Sequence, residues 1–278
     1  MLQNQSIITQ HLQYITKILL INGTLVECPG LLHGKMGISI FFFHYGRFSG
    51  NELFFDYAFD VISEIQEQIH NQSSADYERG IAGIGIGMDY LIKNGFLQTE
   101  EDIFDDFDQR MFRAVMYEPW QDFSLYEGLI GYGRYWIKRY SSSKQAKECL
   151  LHVVSRIEER IPDFSSKEQI DVYCFLHDLC QIQGFEMCAN LLRKINDPST
   201  DFIRLGKSIV GDMIRVYQQN HYFNGNVQDE IYPLLKQIPH LNMEKAPTDM
   251  GLLTGFAGEG MLRLTTIEPK NISWMNLM

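Results

Sequence analysis

Gly34-Lys35-Met36-Gly37-Ile38-Ser39 returns three times, as Gly80-Ile81-Ala82-Gly83-Ile84-Gly85, Gly128-Leu129-Ile130-Gly131-Tyr132-Gly133 and Gly255-Phe256-Ala257-Gly258-Glu259-Gly260. The second glycines of the first three copies are 46 and 48 residues apart, and the last lies 127 residues further on. That longer gap holds three units of the same length, and a fixed period of this size marks a helical repeat. Ser208-Ile209-Val210-Gly211 supplies one further copy, and a degenerate one is placed near Asp171 to Cys174, which makes six units. Each clear copy runs into a hydrophobic stretch. Glycine is costly inside a helix, so repeated glycines at a helix entrance need a geometric reason, and close approach of neighbouring backbones supplies one. A phosphate-binding turn of the dinucleotide type would need glycines at i, i+2 and i+5 after a strand, and no copy has that spacing.

Between the glycine phrases, residues 12–21, 54–69, 103–115, 146–161 and 185–195 carry apolar side chains at i, i+3 and i+4 with charged opposite faces, the pattern of amphipathic helices with one buried side. The glycine-led segments are apolar all round. Strand signals are nearly absent. The fold class predicted is all-α: an α/α toroid of two concentric rings, with about six outer/inner helix pairs, or seven, in a single domain over residues 1–278. The inner helices would run parallel, gathering the glycine entrances at one end.

Four stretches carry a family resemblance: GLLHGKMGISIFFF (30–43), RGIAGIGIGMDYLIKNGFL (79–97), SLYEGLIGYGRYW (124–136) and MGLLTGFAGEGMLRL (250–264). They resemble the lanthionine synthetase C-like family, α/α toroids with Gly-rich phrases at the inner-helix entrances. The resemblance implies a role in peptide modification. The family's best-known activity adds a peptide cysteine thiol to a dehydrated serine or threonine, with zinc lowering the thiol pKa. The family's ligands are a cysteine in a Trp-Cys-x-Gly entrance and an adjacent Cys-His pair before the glycine of a later repeat. Here those slots hold Gly206 and Lys207 in one copy and Leu253 and Thr254 in the other; only Leu32-His33-Gly34 keeps a histidine, without its cysteine. No cofactor is therefore expected. The reading is a peptide-binding or catalytically divergent member without the zinc site. One alternative is a metal-dependent thioether cyclase using Cys174, His177 and Cys180, spaced three apart along one helix. Another is an α/α-toroid glycoside hydrolase, which would need two carboxylates at a set separation.

Residues at or beside the predicted entrances are the site candidates. His33, Glu127 and Asp249 are taken as catalytic, and Arg79, Tyr126 and Glu259 as a peptide-binding rim. A histidine there could act as acid, base or ligand, whereas acids ahead of a helix often cap its free N–H groups. His44 lies further along the first inner helix.

The net charge of −11 argues against nucleic acid, which needs a basic footprint, and suits a peptide substrate or a peptide-modifying enzyme as partner. No stretch reaches the roughly 18 apolar residues that span a membrane, and residues 1–20 lack the basic start and apolar run of a signal peptide. The five cysteines, an odd number, fit a reducing compartment. The expected location is cytoplasmic.

Overall fold

The computed structural model describes residues 2–99, 103–195, 208–224, 227–238, 240–241 and 249–278. The described residues are helical and contain no strand. In chain order the helices are α1 (Leu2–Asn22), α2 (Lys35–Ser49), α3 (Leu53–Gln68), α4 (Ile81–Lys93), α5 (Asp105–Met116), α6 (Leu129–Arg139), α7 (Ala146–Arg160), α8 (Ser166–Cys180), α9 (Cys188–Leu192), α10 (Ile209–Gln219), α11 (Val227–Leu235) and α12 (Phe256–Ile267). The slots at Gly206 and Lys207 lie outside the described residues.

Burial separates two kinds of helix. Twelve of the fifteen residues of α2, ten of the thirteen of α4 and eight of the eleven of α6 are buried. By contrast α3 buries only Ala58, Val61, Ile62 and Ile65 of its sixteen residues, and α5 four of twelve. The α3 set follows i, i+3, i+4, i+7, one stripe on a helix otherwise facing water. Helices led by glycine are thus enclosed on several sides, and those between them on one. The 185–195 segment is shorter than its pattern suggests, helical only over Cys188–Leu192.

The chain divides into two compact units, Met1–Ile69 with Lys93–Phe96 and Leu205–Met278, and His70–Ile92 with Leu97–Arg204. In the first unit α12 packs against α1, α2, α10 and α11, and α2 packs against α3. Its centre is aromatic: Phe42 meets Tyr57 edge to face at 4.5 Å, and Phe43 meets Phe59 at 5.1 Å. Such pairs add to burial energy beyond their area. His44 is buried there, its Nδ1 2.8 Å from the Asn271 amide, and burial followed by the charge of Arg47 lowers its pKa to about 3. In the second unit α5 and α7 flank α6, and α8 packs on α6 and α9. A buried ion pair anchors it: Asp108 accepts from Arg139 at 3.0 and 3.1 Å and from the Tyr135 hydroxyl at 2.5 Å. A buried pair made this fully is costly to break on one side.

The glycine phrases form one repeated device. Each is preceded by a seven-residue loop, over residues 28–34, 74–80, 122–128 and 249–255, here called loops 1, 2, 3 and 6. The first helical N–H reaches back seven residues to the opening carbonyl of its loop: Lys35 to Cys28 at 2.9 Å, Ile81 to Ser74 at 2.9 Å, Leu129 to Asp122 at 2.9 Å, Phe256 to Asp249 at 3.0 Å. These bonds satisfy N–H groups that a helix start leaves without intrahelical partners. The price is crowding, since a Cβ on Gly34 would stand 2.6 Å from the Gly30 carbonyl oxygen and one on Gly37 2.6 Å from that of Leu31. Only glycine lets the backbones approach so closely.

Repeats four and five depart from the device. The α8 helix begins after Ser165, whose hydroxyl accepts the Glu168 N–H while the Glu168 carboxylate accepts the Ser165 N–H, a capping box. The fourth entrance is therefore at Ser165, and Asp171 to Cys174, where the sequence reading placed it, lies inside the helix. A strong local cap there replaces the glycine loop. Ser208 caps α10 with its hydroxyl alone, accepting the Gly211 N–H at 3.0 Å.

Candidate functional site

The entrance loops pair edge to edge, and this pairing positions the candidate side chains. In the second unit the N–H groups of Tyr77 and Glu78 in loop 2 both donate to the Tyr126 carbonyl of loop 3, at 2.9 and 3.1 Å. In the first unit the N–H groups of Leu252 and Leu253 in loop 6 both donate to the Leu32 carbonyl of loop 1, at 2.7 and 3.1 Å. Donors and acceptor occupy the same loop positions in both cases, so the last glycine loop meets the first as loop 2 meets loop 3. Ser208 keeps the register with a side chain, its hydroxyl donating to the Leu253 carbonyl at 3.4 Å.

His33 and Asp249 are brought together by the pairing of loops 1 and 6. Nδ1 of His33 lies 3.6 Å from Oδ2 of Asp249, and each side chain is 31% exposed. Asp249 also holds its own loop: Oδ1 accepts the Gly251 N–H at 2.8 Å, and Oδ2 accepts the Thr254 hydroxyl. Burial pushes this carboxyl up, but hydrogen bonds from His33, Thr254 and Gly251 outweigh it and hold the group at about 2. Asp249 is thus a carboxylate through the ordinary pH range, facing an imidazole at a loop edge. Asp122, at the same position of loop 3, accepts the Ser124 N–H at 2.8 Å in the same way. Two aspartates serving one loop turn identifies turn formation as the first task of Asp249.

The other candidates are dispersed. Glu259 pairs with Arg263 one helical turn on, and buried Arg263 also reaches His11 Nδ1 at 3.4 Å. In the second unit Glu127 is exposed, its main-chain N–H donating to Ser124 Oγ at 3.4 Å. Arg79 is exposed beside Glu78 at 3.1 Å. Tyr126 contributes chiefly its carbonyl, and Lys167 Nζ stands 5.8 Å from its ring centroid.

The alternative metal set is not assembled. Cys174 is buried and Cys180 half-buried on α8; among the described residues no group of three His, Cys, Asp or Glu side chains could hold a metal ion. Residues six apart on an α-helix are about 240° apart around its axis, so the run turns away from any common centre. Burial holds the Cys174 thiol well above its usual range, which leaves it protonated rather than a ready ligand or nucleophile.

What the sequence reading missed lies on α8. The Asp171 carboxylate, not a backbone carbonyl, accepts the Leu125 N–H of loop 3 at 2.8 Å, and Glu168 accepts the Phe123 N–H at 3.1 Å. Arg134 of α6 reaches Asp178 at 3.1 Å. Lys167, Asp171, Cys174 and Asp178 fall at i, i+4, i+7 and i+11, one polar stripe that the spacing alone could have revealed.

No family model and no curated protein matches the chain. No helix among the described residues is long and apolar enough to cross a membrane.

Proposed function

We propose that this chain is a lanthionine synthetase C-like α/α toroid that holds a peptide during its modification, without the zinc centre of that family. The observation that carries the reading is the loop pairing. Four glycine loops are built alike, the glycine-led α2, α4 and α6 are more fully buried than α3 and α5 between them, and the last loop engages the first in the register that joins loop 2 to loop 3. A repeat whose end pairs with its beginning in that register supports closure into a ring. The acidic balance suits a basic peptide, in a cytoplasmic setting.

Two measurements on the intact chain test this. Plasma mass spectrometry after mild zinc loading is expected to find no stoichiometric zinc. Fluorescence anisotropy with a labelled basic peptide containing serine and cysteine, acetylated and amidated at its ends, is expected to show saturable binding. Zinc that disappears in Cys174→Ala or His177→Ala would replace the proposal with a thiol-activating enzyme. A peptide that never binds would end it.

A further inference from the structure

Loop 3 differs from loops 2 and 6 in its fourth and fifth amides. In loops 2 and 6 the fourth and fifth amides share one carbonyl of the loop they pair with, loops 3 and 1 respectively. In loop 3 the fourth amide, Leu125, donates to Asp171 Oδ2, and the fifth, Tyr126, has no acceptor among the described residues. Asp171 accepts only through Oδ2; no described residue donates to its Oδ1. The fourth repeat starts with a capped helix, so no loop carbonyl comes to this edge. The Tyr126 N–H, one residue beyond the amide that Asp171 holds, and the second oxygen of that carboxylate offer one donor and one acceptor, the complement of a single residue of extended peptide.

We propose that loop 3 and Asp171 form a docking edge for an extended peptide, whose main-chain carbonyl accepts the Tyr126 N–H and whose main-chain N–H donates to Asp171 Oδ1. Main-chain hydrogen bonds to an exposed edge are a general mode of peptide capture. The surroundings agree with it. Burial pushes the Asp171 carboxyl up to about 6, against the pull of the Leu125 N–H, Lys167 and Arg134 and with Asp122 adding to the rise. A half-buried carboxylate gains more from a new N–H than a fully exposed one does. Asp122 lies close enough to Asp171 for their charges to interact, which favours a basic peptide, while Asp178 is paired with Arg134.

The inference rests on the peptide-binding reading, and the experiment separates the two. Amide hydrogen exchange of the intact chain is followed by NMR, with and without the peptide Lys-Ser-Val-Cys-Lys-Ser, acetylated and amidated. Without peptide the Tyr126 amide is expected to exchange freely while the Glu78 and Leu253 amides are protected. With peptide, protection of Tyr126 is expected to rise by about tenfold, the worth of one hydrogen bond. The variant Asp171→Asn keeps an oxygen for Leu125 but turns an NH2 toward the peptide, and is expected to bind about tenfold more weakly. Binding that leaves Tyr126 exchange unchanged, or that Asp171→Asn does not weaken, overturns the docking edge and spares the peptide reading. Absence of binding in anisotropy and NMR alike overturns both.

Discussion

Loop 6 against loop 1 and loop 3 against α8 are two answers to one problem, the disposal of two adjacent main-chain N–H groups at a helix entrance. In the first a carbonyl oxygen, at Leu32, takes both. In the second the carboxylate of Asp171 takes one, by an oxygen placed through side-chain torsions rather than by the chain path. The backbone solution closes the edge with an acceptor that does not ionise. The side-chain solution leaves an amide and an oxygen available and brings an ionisable group into a half-buried place, so the two edges should respond differently to mutation, pH and peptide.

The comparison presupposes that the loops themselves are equally close-packed, and the largest effect tests that. Cβ atoms added to Gly131 and Gly258 would both collide with loop carbonyl oxygens, those of Leu125 and Leu252. Gly131→Val and Gly258→Val should each cost at least about 3 kcal/mol, since backbone must move rather than a flexible side chain. Urea unfolding of the purified variants measures it. Near-equal losses would show the two entrances built alike; a loss under about 1 kcal/mol in either would remove that loop from the repeat.

Asp171 sharpens the contrast through pH. The unfolded chain releases this proton near the ordinary value of about 3.9, whereas the folded chain holds it until about 6. Its contribution is therefore fully present below about 3.9 and is lost as pH rises through about 6. Asp171→Asn keeps the Leu125 hydrogen bond and cannot ionise, so at pH near 8 it should be more stable than the parent by on the order of 2 kcal/mol, with the gap closing toward pH 4. Denaturant midpoints measured across that range decide it. A gap that does not vary with pH would mean that Asp171 ionises normally and that its edge is as settled as the backbone one.

The glycine phrases and the helical stripes made most of this architecture legible. Their spacing located α2, α4, α6 and α12, and Ala58, Val61, Ile62 and Ile65 face inward as the periodicity of α3 requires. The fourth entrance was not legible, because Ser165 and Glu168 build a local cap that leaves no glycine to find. Site residues were harder. His33 and Asp249 are 216 positions apart and meet only because loop 6 pairs with loop 1, a contact that no local pattern encodes. Tyr126 was chosen for its side chain, yet its carbonyl and N–H distinguish it, and main-chain roles leave no trace in residue type. Asp171 lies on a polar stripe of α8 that its spacing could have shown, but the donor it serves, the Leu125 N–H, became apparent only once the chain was folded.

The smallest effect concerns the side chains at the closed edge. If the Leu32 carbonyl does the pairing, His33 is an addition to a finished contact, while Asp249 remains part of the loop. Both are 31% exposed at 3.6 Å separation, so their attraction falls in the range of surface pairs, about 0.2–1 kcal/mol. Asp249→Ala also removes the acceptor for Gly251 and Thr254 and should cost about 1–2 kcal/mol. His33→Ala should cost less than about 0.5 kcal/mol. Because the folded pKa of Asp249 is depressed to about 2, its share is present above about 3.9 and fades as pH falls toward 2; the penalty of Asp249→Ala should shrink over that interval. A double-mutant cycle isolates the pair from the loop. Should His33→Ala match Asp249→Ala in cost, with the cycle assigning most of it to the pair, the closed edge would depend on an ion pair after all. Loop 6 and loop 3 would then differ in which charge they use rather than in whether they need one.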